Sequence, residues 1–216
     1  FSEQRNELFQ NILYSSISVD DTIPMTDNSL ILKAIRPSTG VEIVFYKDCQ
    51  GLPLYIKGVA YNCLGITPIM PPSKDVNGKE IQAPGIGIEK FSSQFFKILV
   101  VLFLGKIYFC KWLVFGDDFH YTSSDLLDYR FPFTEMTLED IKVIEDTYDK
   151  IMSKLPSLLQ YKLNAQIKVG SFNTKELWTL TDKTDIIFLS YISDKPHVVF
   201  EKLEQQVWKA VISDRK

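Results

Sequence analysis

The chain has 216 residues, 45% of them hydrophobic and 13% aromatic, enough apolar surface for one substantial core and a smaller second one. Its formal net charge of -3 excludes, for the chain as a whole, the strongly basic balance that usually marks a nucleic-acid binder. Three widely spaced cysteines, Cys49, Cys63 and Cys110, form no Cys-x-x-Cys pair, which argues against a disulfide framework or zinc knuckle and fits a reduced, cytoplasmic protein.

In chain order, a helix is expected over residues 3–14, followed by a polar connector holding Asp20 and Asp21. Asn28 can cap a short helix reaching Arg36, which Pro37 and Gly40 end. The apolar period then changes. Residues 41–46 and 53–61 are rich in β-branched and aromatic side chains, and the intervening Asp48, Cys49, Gln50 and Gly51 predict an antiparallel hairpin, with a further strand at 64–69. Residues 71–87 contain Pro71, Pro72, Asn77, Gly78, Pro84, Gly85 and Gly87, a density of turn formers that predicts an irregular, exposed excursion.

From 92 to 115 the pattern is helical and apolar nearly all round, which predicts one long buried central helix. Its most apolar run, 98–104, is bracketed by Lys97 and Lys106 and falls far short of the roughly 18 residues a membrane span needs, so no membrane partner is expected. Thr122 and Asp125 have capping-box spacing for a short helix that Phe131, Pro132 and Phe133 end. The last third reads as helical. Thr137 and Asp140 start a helix that presents Leu138, Ile141, Ile144, Tyr148, Ile151 and Leu155 and stops at Pro156. Asn173 or Thr174 caps a second helix through Leu177, Leu180, Ile187 and Tyr191, and a third carries Val199, Leu203, Val207 and Val211.

Charge is unevenly placed: residues 33–130 hold eleven basic and nine acidic side chains, whereas 1–32 hold one and five, and 131–216 hold twelve and thirteen. Only the middle segment is net positive, and a phosphate-facing surface needs several clustered cations, which a segment-wide surplus does not by itself supply. Chemistry is sparse. Transfer of a methyl group to an exocyclic amine needs a polar side chain and a carbonyl to hold the amine, with an aromatic ring stacked on the base. The amino-methyltransferases supply these with a polar-Pro-Pro-aromatic tetrapeptide, and the only Pro-Pro here, between Met70 and Ser73, lacks both the polar residue and the aromatic. Gly85 and Gly87 open no dinucleotide-type loop. Asp117, Asp118 and His120 suggest a metal-dependent nuclease centre or, more plainly, turn and cap duty after the central helix. A chain that opens on Phe1 with no signal-peptide pattern is expected to be an excised fragment.

Several blocks, in order, resemble the C-terminal region of the large adenine-specific DNA methyltransferases of the fused type IIG restriction-modification kind. Arg5, Leu8 and Phe9 look like the stretch leaving their catalytic domain, and Ile23-Pro24 with residues 30–33 resembles their Ile-Pro-Lys element, with Met25 in the lysine's place. Residues 43–46 resemble the strand opening their recognition region. The most specific block is 107–122, with Gly116-Asp117-Asp118-Phe119, Thr122, Asp125-Leu126 and Phe131-Pro132; Leu104-Gly105-Lys106 stands where the family has Leu-Asn-Ser. Gly170, Asn173, Thr181-Asp182 and Asp185 are similar to the family's Gly-Asn-Tyr-Asn and Thr-Asp-x-x-Asp ending.

The resemblance implies an α+β fold, antiparallel strands of a methyltransferase target-recognition domain packed on a long buried helix, with a helical C-terminal part. It divides the chain into an N-terminal helical lead-in from the missing catalytic domain (1–40), the recognition domain (41–133) and a helical region (134–216). It implies double-stranded DNA and the parent's catalytic methyltransferase domain as partners, no catalysis and no cofactor in this fragment, and S-adenosylmethionine bound by that other domain. Whether the parent also cuts DNA stays open. Candidate DNA-facing residues, chosen for chemistry and exposure, are Lys57, Tyr61, Asn62, Lys74, Asn77 and Lys79 in the strand-and-loop region, and His120, Tyr121, Thr122, Ser123 and Ser124 after the central helix. A helix cap is the competing role for Thr122, and core packing for Tyr108, Phe109 and Trp112. The alternative function is a protein-interaction or scaffold domain without DNA binding, which suits the acidic balance.

Overall fold

The computed structural model of the chain describes residues 24–26, 28–60, 62–116 and 119–213. The expected helix over 3–14 lies outside the described residues, as do Asp20, Asp21, Tyr61, Asp117 and Asp118. The fold is α+β, with antiparallel sheets and a mainly helical C-terminal part.

Helix α1 (Ser29–Ile35) starts as its sequence dictates, the Asn28 side chain accepting from the N–H groups of Leu30 and Ile31. β1 (Val41–Glu42) is short and pairs with β7 (Arg130–Phe131). Residues Ile43–Tyr46, expected as a strand, instead form a 3-10 turn. The burial pattern explains it: Ile43 and Tyr46, three apart, face the core while Val44 and Phe45 are exposed, and three residues per turn puts such a pair on one side. The expected hairpin between 41–46 and 53–61 is therefore absent. Asp48 to Gly51 form a bulge within one long strand, β2 (Lys47–Lys57), where Phe91 pairs with both Lys47 and Leu52. β2 is flanked by β3 (Ile66–Thr67) and β6 (Ile86–Phe91), both antiparallel.

The excursion at 71–87 is also more ordered than expected. β4 (Ser73–Lys74) and β5 (Glu80–Ile81) pair around a turn in which Asp75 accepts from the N–H groups of Asn77 and Lys79. β4 continues into a second correction. The last third contains a hairpin, β8 (Leu159–Asn164) and β9 (Ile167–Phe172), which joins β4 in a sheet of order β5-β4-β9-β8. Gly170 permits this junction, because a Cβ there would strike the Pro72 carbonyl. The hairpin turn holds Ala165 at φ 45° and Gln166 at φ 68°. Two non-glycine residues in the left-handed region cost roughly 1 kcal/mol each, and neither is a turn former that a sequence reader would notice.

The central helix is two helices. α2 (Ser93–Leu104) and α3 (Lys106–Phe115) meet at Gly105 with a bend of 62°. α4 (Ser123–Leu127) follows with the expected capping box, the Thr122 hydroxyl accepting from the Asp125 N–H and the Asp125 carboxylate accepting from Thr122. α5 (Leu138–Lys154) is capped by Thr137, which accepts from the Asp140 N–H. α6 (Trp178–Ser190) and α7 (Pro196–Ser213) complete the helical layer. Residues from all three expected segments share one core, among them Ile35, Phe103, Ile144 and Leu203, each at most 1% exposed. No single helix among the described residues is long and apolar enough to cross a membrane, and the α2–α3 pair is spent on this core.

What breaks the central helix is Asp185 on α6. Its carboxylate accepts from the Lys106 N–H at 2.9 Å, capping α3 from another helix. A Cβ at Gly105 would collide with that carboxylate. Gly105→Ala is therefore expected to destabilise the fold by about 2 kcal/mol, measured as a lowered urea midpoint. A midpoint equal to the parent's would mean that α2 and α3 can part without the Asp185 contact.

Candidate nucleic-acid interface

The β8–β9 ribbon brings cations and exposed apolar groups together in a way the order of the chain conceals. Side chains alternate across a strand, and residues opposite one another in register share a face. Leu163 opposes Lys168, and Lys168 opposes Lys74 on β4, so these three share one face with Tyr161. They line a cavity of about 320 Å³. Tyr161 is 44% and Leu163 75% exposed, too open for either to be core. Lys162 stands on the other face with Gln160 and Asn164, all three exposed.

Directly opposed like charges destabilise a sheet. Neither Lys74 nor Lys168 forms an ion pair among the described residues, although Glu80 is the register partner of Lys74 on β5. On the far side, Lys57 at the end of β2 is half-buried. Burial, then repulsion from Lys162, lowers its pKa, and Cys63 offsets part of this. Residues 47–91 and 159–172 together carry seven lysines against four carboxylates in a chain whose net charge is -3. No carboxylate falls within 159–172. The structure thus segregates the charge that composition averages away.

Of the candidates chosen from sequence, Lys57 and Lys74 belong to this region. Asn62, Asn77 and Lys79 are exposed, the last two on the β4–β5 turn. Tyr61 lies outside the described residues. The group after α3 fares differently. Tyr121 is only 3% exposed, with its hydroxyl buried, and so presents no side chain to a duplex, a correction to the expectation. Burial and the nearby Asp125 carboxylate raise its pKa well above the ordinary value. Thr122 is occupied as a cap; Ser123 is half-buried, and Ser124 and His120 are exposed. Lys162, Lys168 and Tyr161 were missed because the last third read as helical. The alternation of Gln160, Lys162 and Asn164 with Tyr161 and Leu163 was the available signal.

The block at 107–122 has a structural explanation. The Tyr108 hydroxyl donates to the Leu126 carbonyl, Lys111 Nζ to that of Asp125 at 2.8 Å, and Trp112 Nε1 to that of His120 at 2.8 Å. Three donors of α3 thus pin the segment 120–126. Thr181, Asp182 and Asp185 likewise turn inward. Lys106, 2% exposed, places Nζ 2.6 Å from both Asp182 and Glu204. Burial works against its charge, but the two carboxylates overcome this and raise its pKa. Among the described residues no group of three or more His, Cys, Asp or Glu is placed to hold a metal ion. Compared with protein-family models, curated proteins and solved structures, the chain matches none.

Proposed function

We propose that the chain is a duplex-DNA recognition fragment of an adenine-specific DNA methyltransferase of the restriction-modification kind. It grips and positions the duplex, and a separate S-adenosylmethionine-binding domain of the parent transfers the methyl group. The observation that carries the DNA reading is the β8–β9 ribbon, with lysines on both faces and no carboxylate within it. The major groove of B-DNA, about 12 Å wide, admits a two-stranded ribbon. Such a ribbon meets phosphates of both strands, so cations are needed on both faces. The methyltransferase part rests on the ordered sequence blocks, and the division of labour on the lack of a donor-binding loop or a Pro-Pro-aromatic motif in these residues.

The test is fluorescence anisotropy with random-sequence duplex over about 50 to 200 mM salt, where log Kobs should fall linearly with log salt. Lys162→Ala with Lys168→Ala should make the slope shallower by about 2, one for each lost phosphate contact. Absence of binding at the lowest salt overturns the reading and leaves a protein-docking scaffold, to which the acidic helical part is suited. An unchanged slope in the double variant would move the interface away from the ribbon.

A further inference from the structure

The tip of the ribbon is built against local preference. A two-residue turn with both residues at positive φ favours Asn-Gly, yet Ala165 and Gln166 occupy it. Side chains held in such a turn point to a role outside the fold. Leu163, Asn164 and Gln166 are exposed there, one amide just before the turn and the other within it. β4 pairs with β9 only at Lys168 and Val169, so the ribbon beyond them stands free of the sheet.

The spacing fits a groove. Lys162 lies two residues before Asn164 and Lys168 two after Gln166, about 7 Å back along each strand at roughly 3.4 Å per residue. The major groove is about 8.5 Å deep. With the amides at its floor, the lysines therefore stand at its lip, level with the phosphates. Lys162 faces one wall, and Lys168 with Lys74 faces the other.

We infer that Asn164 and Gln166 at the tip of the β8–β9 ribbon read adenine-bearing base pairs in the major groove, while the lysines on the two faces hold the opposing phosphate strands. This rests on the DNA-recognition reading proposed above. An asparagine or glutamine amide matches adenine bidentately, donating to N7 and accepting from the N6 amino group. Leu163 supplies an apolar contact of the kind a thymine methyl accepts. The turn keeps Gln166 where glycine would be less strained because the side chain is needed at that point.

The experiment selects duplexes from a pool with a randomised centre, using the whole 216-residue chain and the variant Asn164→Ala with Gln166→Gly. The wild type should enrich a motif containing adenine. The variant should lose that preference, its affinity ratio for selected over random duplex falling at least about tenfold. Its salt slope should stay unchanged because the lysines remain. Gln166→Gly alone should melt roughly 2–4 °C higher, since it relieves the turn, so a loss of selectivity is not a loss of folding. Retention of the motif by the double variant overturns the inference, as does salt-dependent binding without any preference in the wild type. If the wild type binds no duplex even at low salt, the DNA-recognition reading falls first and takes this inference with it.

Discussion

Lys106→Met is expected to lower the stability of the fold by about 3 kcal/mol, near the low end for removing one partner of a buried ion pair. Lys106 opens α3 with a side chain 2% exposed, 2.6 Å from Asp182 on α6 and from Glu204 on α7, its ammonium over the Phe200 ring. Without it, two carboxylates face each other across an apolar gap. They are 37% and 36% exposed, so water recovers part of the loss, which places the effect at the low end. Methionine fills most of the volume, so the cost is one of charge. Adding Asp182→Asn and Glu204→Gln to the methionine variant should therefore restore most of the stability, a coupling read directly from a mutant cycle in urea. If the methionine variant melts with the wild type, apolar packing alone holds α3, α6 and α7 together.

The second large effect is a dependence of stability on pH that runs opposite to that of most carboxylates. Burial pushes the Asp185 carboxyl up from 3.8 to about 8, while the Lys106 and Ile107 N–H groups and the Lys106 ammonium pull it down without prevailing. The folded chain thus holds a proton that the unfolded chain releases near 3.8. This group's contribution is complete below about pH 4 and is lost as pH climbs through about 8. Over the whole span the loss is on the order of 6 kcal/mol, since each of the roughly four pH units of displacement is worth about 1.4 kcal/mol. Asp185→Asn, uncharged throughout, should remove this slope, so that wild type and variant differ least favourably for the wild type at pH 8. Denaturant titrations at pH 5 and pH 8 decide it. Equal slopes in the two proteins would show that Asp185 stays ionised in the fold.

Much of the helical skeleton was legible because its signals are local. Asn28, Thr122 and Thr137 cap the helices their spacing predicts, since a cap needs only its own side chain and the next turn. α5 ends at Lys154, two residues before Pro156, and the chain runs on as a 3-10 turn over Leu155–Leu158. The break at Gly105 was not legible, because nothing in the run from Phe96 to Phe115 announces a carboxylate arriving from residue 185. The resemblance did single out Leu104-Gly105-Lys106 and Thr181-Asp182 with Asp185 as separate blocks; the fold shows them to be two halves of one contact. Of the candidate interface, Lys57 and Lys74 were visible by their chemistry, though both are half-buried, whereas Tyr121 was misplaced because exposure after a helix end is not written in composition.

From its residues alone, this chain specifies an apolar central helical run, capped helices and a turn-rich strand region, because propensity, period and capping act over a few residues. Tertiary structure alone decided that the central run bends, that residues 159–172 pair as strands with residues 73–74, and that their lysines gather on the two faces of one ribbon. Those outcomes depend on groups some 80 to 100 positions apart meeting in space, and short-range preference carries no information about such encounters.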